Sequence, residues 1–577
     1  MISNIQNINH YFKLPITFSS NKIKLNETII SDLELTETYD PSGRPLYYNA
    51  FQPKTIFGKQ ILQQYTNQYT THIPFLKDTQ KLLKKFNKIS TDHTICYQEI
   101  MNIWDDVKNE KYFKEKYHYL EWENNYCKLL NENSEFLQLL SIYHLSSPVL
   151  SFLMPIFVLI IPFFIIQIKG LKLTFDEYIH ILKQYAKNNA IGQLFTQFDS
   201  VPTDKKVYLI ASASFYVFSI YQNILTCFRY HNNMKKIHSY LHKIKEYIQH
   251  TEENIQYLLL YTSQYKTYQD FNAIAKKNMD ILTSFKNKIK TITPYEITFH
   301  KFSQLGKIMK HFYTIYDSSI INESIMWSFG FNGYMDTIEG MVDNINKNRI
   351  SFCKLNKKKK QQNVFKNAYY PALMTENPIC NDIYLDKNLI ITGPNASGKT
   401  TILKTTLINI ILSQQMGCGF YSSAVLQPFK YIHCYLNIPD TSGRDSLFQA
   451  EARRCKDILD LIHTNDKDTH FCVFDELYSG TNPEEAVQSA SLFMKYLMKF
   501  KGVHCMLTTH FYDLCKELDS NKLFENCHMD TKEDKDKIEQ FVYTYQLKKG
   551  ISNVRGGMKV LRDMNYPKEI TNNSHEM

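Results

Sequence analysis

The twelve cysteines of this 577-residue sequence never fall in a C-x-x-C pair or at Cys/His metal spacing. That excludes a zinc-ribbon or zinc-finger reading and marks them as reduced thiols of a cytosolic or nuclear compartment. The first residues, Met1 to His10, lack both a basic n-region and an apolar h-region, so a cleaved secretory signal is not expected. Glycine is scarce, 18 residues, while Tyr (40), Phe (37), Lys, Asn and Ile abound. That bias fits an A/T-rich coding sequence, and the aromatic richness therefore carries no functional weight. Neither extreme charge nor low hydrophobicity is present: 44% of residues are hydrophobic and 21% charged, which excludes disorder as the dominant state. A net charge of +10 permits a polyphosphate or an anionic membrane as partner without demanding either.

A chain this long exceeds what one core organises, so two to four domains are expected. No internal repeat is present. Residues 30 to 145 read as mostly helical, with a strand-like or irregular start at Ser31 to Leu46 and apolar residues three to four apart from Ile61 to Phe86. Helical spacing returns at Ile237, Leu241, Ile244 and Ile248, predicting one or two long helices between Asn233 and Ile292. Lys357 to Lys360 read as a solvated linker, with nucleic-acid contact as the alternative.

Two runs carry no charge. Val149 to Ile166 is 18 residues (VLSFLMPIFVLIIPFFII) and Val207 to Phe228 is 22 (VYLIASASFYVFSIYQNILTCF). Eighteen or so such residues mark the threshold for a membrane-spanning helix. Pro155 and Pro162 are costly in a soluble helix but tolerated in a membrane one. Two readings stay open: a hairpin that spans or lies on a membrane, and a helix pair buried in the core. Six lysines between the runs (Lys169, Lys172, Lys183, Lys187, Lys205, Lys206) run against the positive-inside tendency for a short outer loop.

Chemistry is concentrated near the C-terminus. The apolar strand Asn388 to Ile391 leads into Gly393-Pro394-Asn395-Ala396-Ser397-Gly398-Lys399-Thr400, a full G-x-x-x-x-G-K-[ST] match, with helical sequence from Thr401. In such a turn the backbone wraps the phosphates of ATP, helix-terminal amides face the anion, the lysine meets the β- and γ-phosphates, and the hydroxyl of Thr400 binds Mg²⁺. A second strand, Phe471 to Phe474, ends in Asp475 and Glu476. Asp475 would hold the Mg²⁺ shell through Thr400 or water, and Glu476 is placed to act as general base on the attacking water. A third strand, Val503 to Leu507, ends in Thr508-Thr509-His510; in ATPases of this layout such a His senses the γ-phosphate. Between the first two strands, Asp440 to Glu451 is a turn-rich segment opening a helix, whose N-terminus offers donors to an anion.

ITGPNASGKTT is similar to the ITGPNMGGKST run of the DNA mismatch repair MutS family, and Ser446, Phe448 and Glu451 match that family's S-T-F-x-x-E signature. Asp475, Glu476, Gly480 and Thr481 resemble its D-E-x-x-x-G-T run, Thr509-His510 its T-H, and Tyr545 to Ile570 its closing segment, with Gly550, Gly557 and Pro567 in place. More faintly, Asp32 to Lys59 resembles the start of the family's helical core, with Thr55 and Gly58-Lys59 in register. The resemblance implies an ABC-type ATPase that dimerises, each site completed by Ser446 of the opposite subunit, with long helical levers coupling the site to DNA. Ala396-Ser397 replaces Met-Gly, which is expected to leave phosphate binding intact, and Tyr478-Ser479 replaces Gly-Arg, which leaves the details of cross-subunit signalling open. Only some 30 residues precede the core-like segment, and the mismatch wedge Phe-x-Glu has no home there; Phe175-Asp176-Glu177 between the apolar runs matches its letters by coincidence.

The expectation is a multidomain α plus α/β protein, a helical MutS-core-like lever region followed by a P-loop ABC-type α/β ATPase domain. Its segments are a 1–30 extension, a first helical core part at 31–148, a hydrophobic hairpin at 149–228, a second core and lever part at 229–360, and the ATPase domain at 361–577. The expected function is a MutS-family ATP hydrolase using ATP and Mg²⁺ and coupling them to DNA binding in repair or recombination, as a homodimer or heterodimer. The expected location is cytoplasmic or nuclear, with membrane association through 149–228 as an open addition. The rival is a membrane-attached ABC-type motor not acting on DNA. Against a transporter proper, two apolar runs are too few and no L-S-G-G-Q signature is present.

Overall fold

Short, continuously apolar segments that cannot be amphipathic need burial on both faces, and in this protein they become the inner strands of a parallel sheet. The computed structural model describes residues 8–87, 96–120, 128–170, 174–188, 193–194, 198–200, 202–296, 298–356, 362–436, 446–519, 523–533, 541–552, 554 and 556–567. Lys172, Lys357 to Lys360, Asp440 to Asp445 and residues 568–570 lie outside the described residues. The chain forms two compact units, each discontinuous in sequence: residues 1–94, 253–279 and 325–577, and residues 95–252 and 280–324.

In the first unit, a six-stranded sheet has Asn388–Thr392 near its middle. Phe524–Glu533 lies on one side of it and Val503–Thr508 on the other, followed by His470–Asp475 and Tyr431–Tyr435, all parallel. Phe541–Lys549 closes one edge antiparallel to Phe524–Glu533. Register pairs Ile391 with Thr508 and Thr508 with Asp475, so the C-terminal ends of three strands come level. Ligands of open α/β sheets bind beyond those ends. A second, five-stranded sheet runs in the order Asn381–Tyr384, Val364–Ala368, Ser423–Leu426, Ser351–Leu355, Cys418–Gly419.

The helix Lys399–Gln415 is buried on nearly every side, and Leu403, Leu407, Ile408 and Ile411 are fully buried. Its far end is tied to the N-terminal helices. Gln415 Nε2 donates to Tyr65 O at 2.6 Å, its Oε1 accepts from the Tyr47 hydroxyl at 3.0 Å, and Gln414 Nε2 donates to Phe429 O at 2.7 Å. The start of the chain is part of the same body: Phe12, Leu14 and Ile16 are buried in its main core.

Ser31 to Leu46 is irregular between two short helices, Glu27–Asp32 and Leu46–Phe51, rather than a strand. Thr55 caps the helix Ile56–Tyr65, its hydroxyl accepting from Gly58 N at 2.9 Å. The Asp336 carboxylate then accepts from Lys54 N at 2.9 Å, Thr55 N at 2.8 Å and the Thr55 hydroxyl at 2.8 Å. A Cβ on Gly58 would collide with that carboxylate. Gly58→Val is therefore expected to destabilise the unit by about 3 kcal/mol, through overpacking and loss of buried hydrogen bonds to a charged group. Urea unfolding measures it, and a midpoint equal to that of the parent chain would contradict this packing.

The second unit is all helical among its described residues. Asp106 is its polar hub, accepting from Lys116 at 2.8 Å, Lys236 at 3.1 Å and Tyr240 at 3.1 Å, and also from Tyr117. Burial raises the Asp106 pKa, but these donors outweigh it and bring it down to about 2. The first apolar run lies within the helix Ser134–Ile168, and the second at the start of the helix Thr203–Thr262. Among the described residues the pair is largely uncovered: 17% of an apolar 18-residue stretch within Ser134–Met154 and 6% of one within Thr203–Thr262 are buried.

Candidate functional site

The turn from Gly393 to Gly398 joins the strand Asn388–Thr392 to the helix Lys399–Gln415, which begins two residues earlier than the sequence reading placed it. Gly398, at the helix start, has φ +93°, a left-handed conformation that a side chain resists. Pro394 is buried, while Asn395 and Ala396 are exposed. Ser397 is buried, and its hydroxyl has no hydrogen-bond partner among the described residues. An unsatisfied buried hydroxyl costs free energy unless something completes it. Thr401 is half-buried in the first helical turn.

Lys399 is buried, and its ammonium group donates to Gly393 O at 3.2 Å and Pro394 O at 3.3 Å. It also lies 3.7 Å from Glu476 Oε1 and 3.2 Å from His510 Nε2. Burial lowers the Lys399 pKa, and the carboxylates of Glu476 and Asp475 act against that fall. A desolvated ammonium with carbonyls as its main hydrogen-bond partners can exchange them for stronger anionic acceptors.

Asp475, at the end of the strand His470–Asp475, accepts from the Thr400 hydroxyl at 2.7 Å and from the Thr508 hydroxyl. Burial raises its pKa, and these two hydrogen bonds oppose the rise. Glu476 comes next in left-handed backbone (φ +50°), as does Tyr478 (φ +59°). Such residues cost on the order of 1–3 kcal/mol each and persist where surroundings impose them. Here Glu476 N is held by Thr508 O at 3.1 Å, and Glu451 accepts from the Ser479 hydroxyl and Gly480 N, each at 3.1 Å. His510 Nε2 lies 2.7 Å from Glu476 Oε1. That hydrogen bond is the main cause of a Glu476 pKa below the usual carboxylate value.

Lys399, Thr400, Asp475, Glu476 and His510 thus converge at the strand ends. Ser446 does not join them within this chain. It is the N-cap of the helix Leu447–Thr464, exposed, and in a reciprocal capping box with Gln449. Sequence reasoning did not place Glu451, Thr508 or Tyr543 in the site. Glu451 braces the turn after Glu476, Thr508 steers Asp475, and the Tyr543 hydroxyl donates to Asn395 O at 2.9 Å. Only Glu451 had a signal, its spacing from Ser446 and Phe448.

The residues fit a phosphate group with a hard cation. The orphaned Ser397 hydroxyl and the buried ammonium supply donors, while Thr400 and Asp475 supply adjacent oxygens. Among the described residues no cluster of three His, Cys, Asp or Glu could hold a metal alone. A cation at Thr400 and Asp475 would draw its other oxygens from phosphate and water.

Fold and site together define a mixed helical and α/β protein in which ionisable and hydroxyl side chains gather at one strand-to-helix turn. Residues 389–577 match the family model described as MutS domain V, so this part of the chain is similar to that domain. It is 29% identical over 223 residues to "MutS protein homolog 4" of Homo sapiens, covering 37% of this chain and 23% of that one. It is 29% identical over 194 residues to "DNA mismatch repair protein Msh3" of Dictyostelium discoideum, covering 32% and 13%. With "Endonuclease MutS2" of Staphylococcus haemolyticus (strain JCSC1435) it shares 28% identity over 206 residues, covering 34% and 24%. The chain therefore matches less than a quarter of the length of each of these relatives.

Proposed function

We propose that this protein is a P-loop ATP hydrolase of the ABC/MutS type, coupling ATP binding and hydrolysis to DNA binding in mismatch repair or a related repair or recombination process. The observation that carries the reading is the convergence of Lys399, Thr400, Asp475, Glu476 and His510 at one strand-to-helix turn. The names of the relatives, a mismatch repair protein and an endonuclease among them, favour DNA as the partner.

The turn from Gly393 to Thr401 grips the triphosphate through the backbone N–H groups of its residues other than Pro394, which has none, and Lys399 leaves its carbonyl partners for the β- and γ-phosphates. Thr400 and Asp475 would hold Mg²⁺, which would supply charge neutralisation at the phosphate oxygens. Glu476, its pKa lowered by its bond to His510, accepts a proton from the attacking water. His510, beside both Lys399 and Glu476, reads the γ-phosphate position. Ser446 presents its helix N-terminus to the nucleotide of a second subunit, making the working unit a homodimer or heterodimer through residues 361–577. The cytoplasm or nucleus is the compartment this function requires.

The test is ATP turnover with and without duplex DNA over a salt series. Stimulation that fades steeply with salt is expected. A rate indifferent to DNA would remove the DNA part of the reading while leaving the hydrolase part standing.

A further inference from the structure

The two charge-free runs form an antiparallel helix pair. The Tyr216 hydroxyl donates to Ser151 O at 3.1 Å, Cys227 Sγ to Leu145 O at 3.4 Å, and the Tyr230 hydroxyl to Ser141 Oγ, so one helix ascends as the other descends. Away from that seam the pair is apolar and exposed. On the first helix Val149, Phe152, Ile160 and Ile165 are all exposed, and on the second Val207, Tyr208, Val217 and Ile224. At about 100° of rotation per residue, each set spreads over roughly 200° of its helix. Docking on one protein surface needs a stripe of at least about 100°, and a spread of about twice that exceeds what a single flat contact covers. A solvent that meets the helices from most sides at once fits this distribution, and the hydrocarbon of a bilayer is such a solvent.

Length points the same way. The 18 residues from Val149 to Ile166 and the 22 from Val207 to Phe228 rise about 27 Å and 33 Å at 1.5 Å per residue. A bilayer core is about 30 Å thick. Charge bounds the runs where they face the segment between them, at exposed Lys169 and Lys205, and exposed Arg229 bounds the other end of the second run, whereas no Asp, Glu, Lys or Arg precedes the first run until Glu135. Exposed Tyr143 sits at the level of Arg229 and exposed Tyr208 at that of Lys205, where amphipathic rings favour the headgroup zone. Two polar side chains within the runs turn back to helix backbone, Ser151 to Pro148 O at 3.0 Å and Thr226 to Gln222 O at 2.9 Å, as a medium without water favours, while Ser214, Ser219 and Gln222 of the second run are exposed. Beyond the first helix, Phe175–Asn188 is a separate amphipathic helix. Its Tyr178 is buried with its ring 4.6 Å from that of Phe163, while Phe175, Ile181, Lys183 and Lys187 are exposed. That mix suits a helix lying in the interface.

We propose that residues 149–166 and 207–228 are a membrane-spanning hairpin, with Phe175–Asn188 resting on the far leaflet, so that the protein is an integral membrane protein. This goes beyond the ATPase reading and does not depend on it. The test uses the full-length chain synthesised without detergent in the presence of phosphatidylcholine vesicles, then floated on a density gradient. Flotation that withstands alkaline carbonate and about 1 M NaCl, which screens surface charge to within a few ångströms, is expected. The double substitution Ile161→Lys and Phe218→Lys should abolish flotation; Mg-ATP binding, measured in parallel, reports whether the rest of the chain has folded. Three outcomes overturn the proposal. One is a parent chain that stays dispersed in the aqueous fraction. Another is flotation released by salt. The third is a detergent-free dimer that the double substitution separates, which would make a second copy the cover of this surface.

Discussion

Glu476→Gln is expected to lower ATP turnover by about 10²- to 10⁴-fold, the usual contribution of a positioned general base, while Mg-ATP affinity stays close to that of the parent chain. The amide keeps the size and reach of the carboxylate, so its neighbours at the strand ends need not move. What it loses is the ability to take a proton from water. In the parent chain the hydrogen bond from His510 lowers the pKa of this carboxyl, and its side chain remains partly open to solvent, from which the water must arrive. Single-turnover hydrolysis alongside equilibrium nucleotide binding separates the two effects. Unreduced turnover in this variant would take the proton-accepting role away from Glu476 and transfer attention to His510.

Lys399→Ala should weaken Mg-ATP binding by about 100-fold or more. An ammonium group donating to two phosphates is worth roughly 3 kcal/mol over what alanine offers, and every 1.4 kcal/mol is a factor of ten. Burial strengthens the effect, since water does not easily replace the lost donor. Removing the lysine also leaves Asp475 and Glu476 facing the phosphates without its charge, so repulsion adds to the lost attraction. Equilibrium binding by fluorescence of a labelled ATP, with thermal unfolding as a folding control, measures it. Equal affinity in a folded variant would mean that the turn at 393–400 is not where triphosphate binds.

Much of the site was legible beforehand because its signals are local. The strands at 388–392, 470–475 and 503–508 are short apolar runs, and the site residues directly follow them in the chain. Glu451 and Tyr543 are different. Glu451 reaches the turn after Glu476 from the first turns of another helix, 29 residues from Gly480, and Tyr543 arrives on the antiparallel edge strand, 148 residues from Asn395. No local pattern encodes such meetings, because they follow from which strand pairs with which. The left-handed backbone at Glu476 and Tyr478 was equally hidden, since neither residue prefers it and tertiary hydrogen bonds impose it.

By itself the sequence determined the strand-turn-helix at 388–415, the carboxylate pair after the second strand, the helical character of 233–292 and the lengths of the two charge-free runs. These depend on periodicity and on residues a few positions apart. Tertiary structure alone decided the strand order, the gathering of residues 1–94 with 325–577 into one unit, and the exposure of the helix pair that sequence left divided between burial and membrane. Those outcomes rest on apolar area and hydrogen bonds shared between segments hundreds of residues apart, and a free energy shared in that way belongs to neither segment read alone.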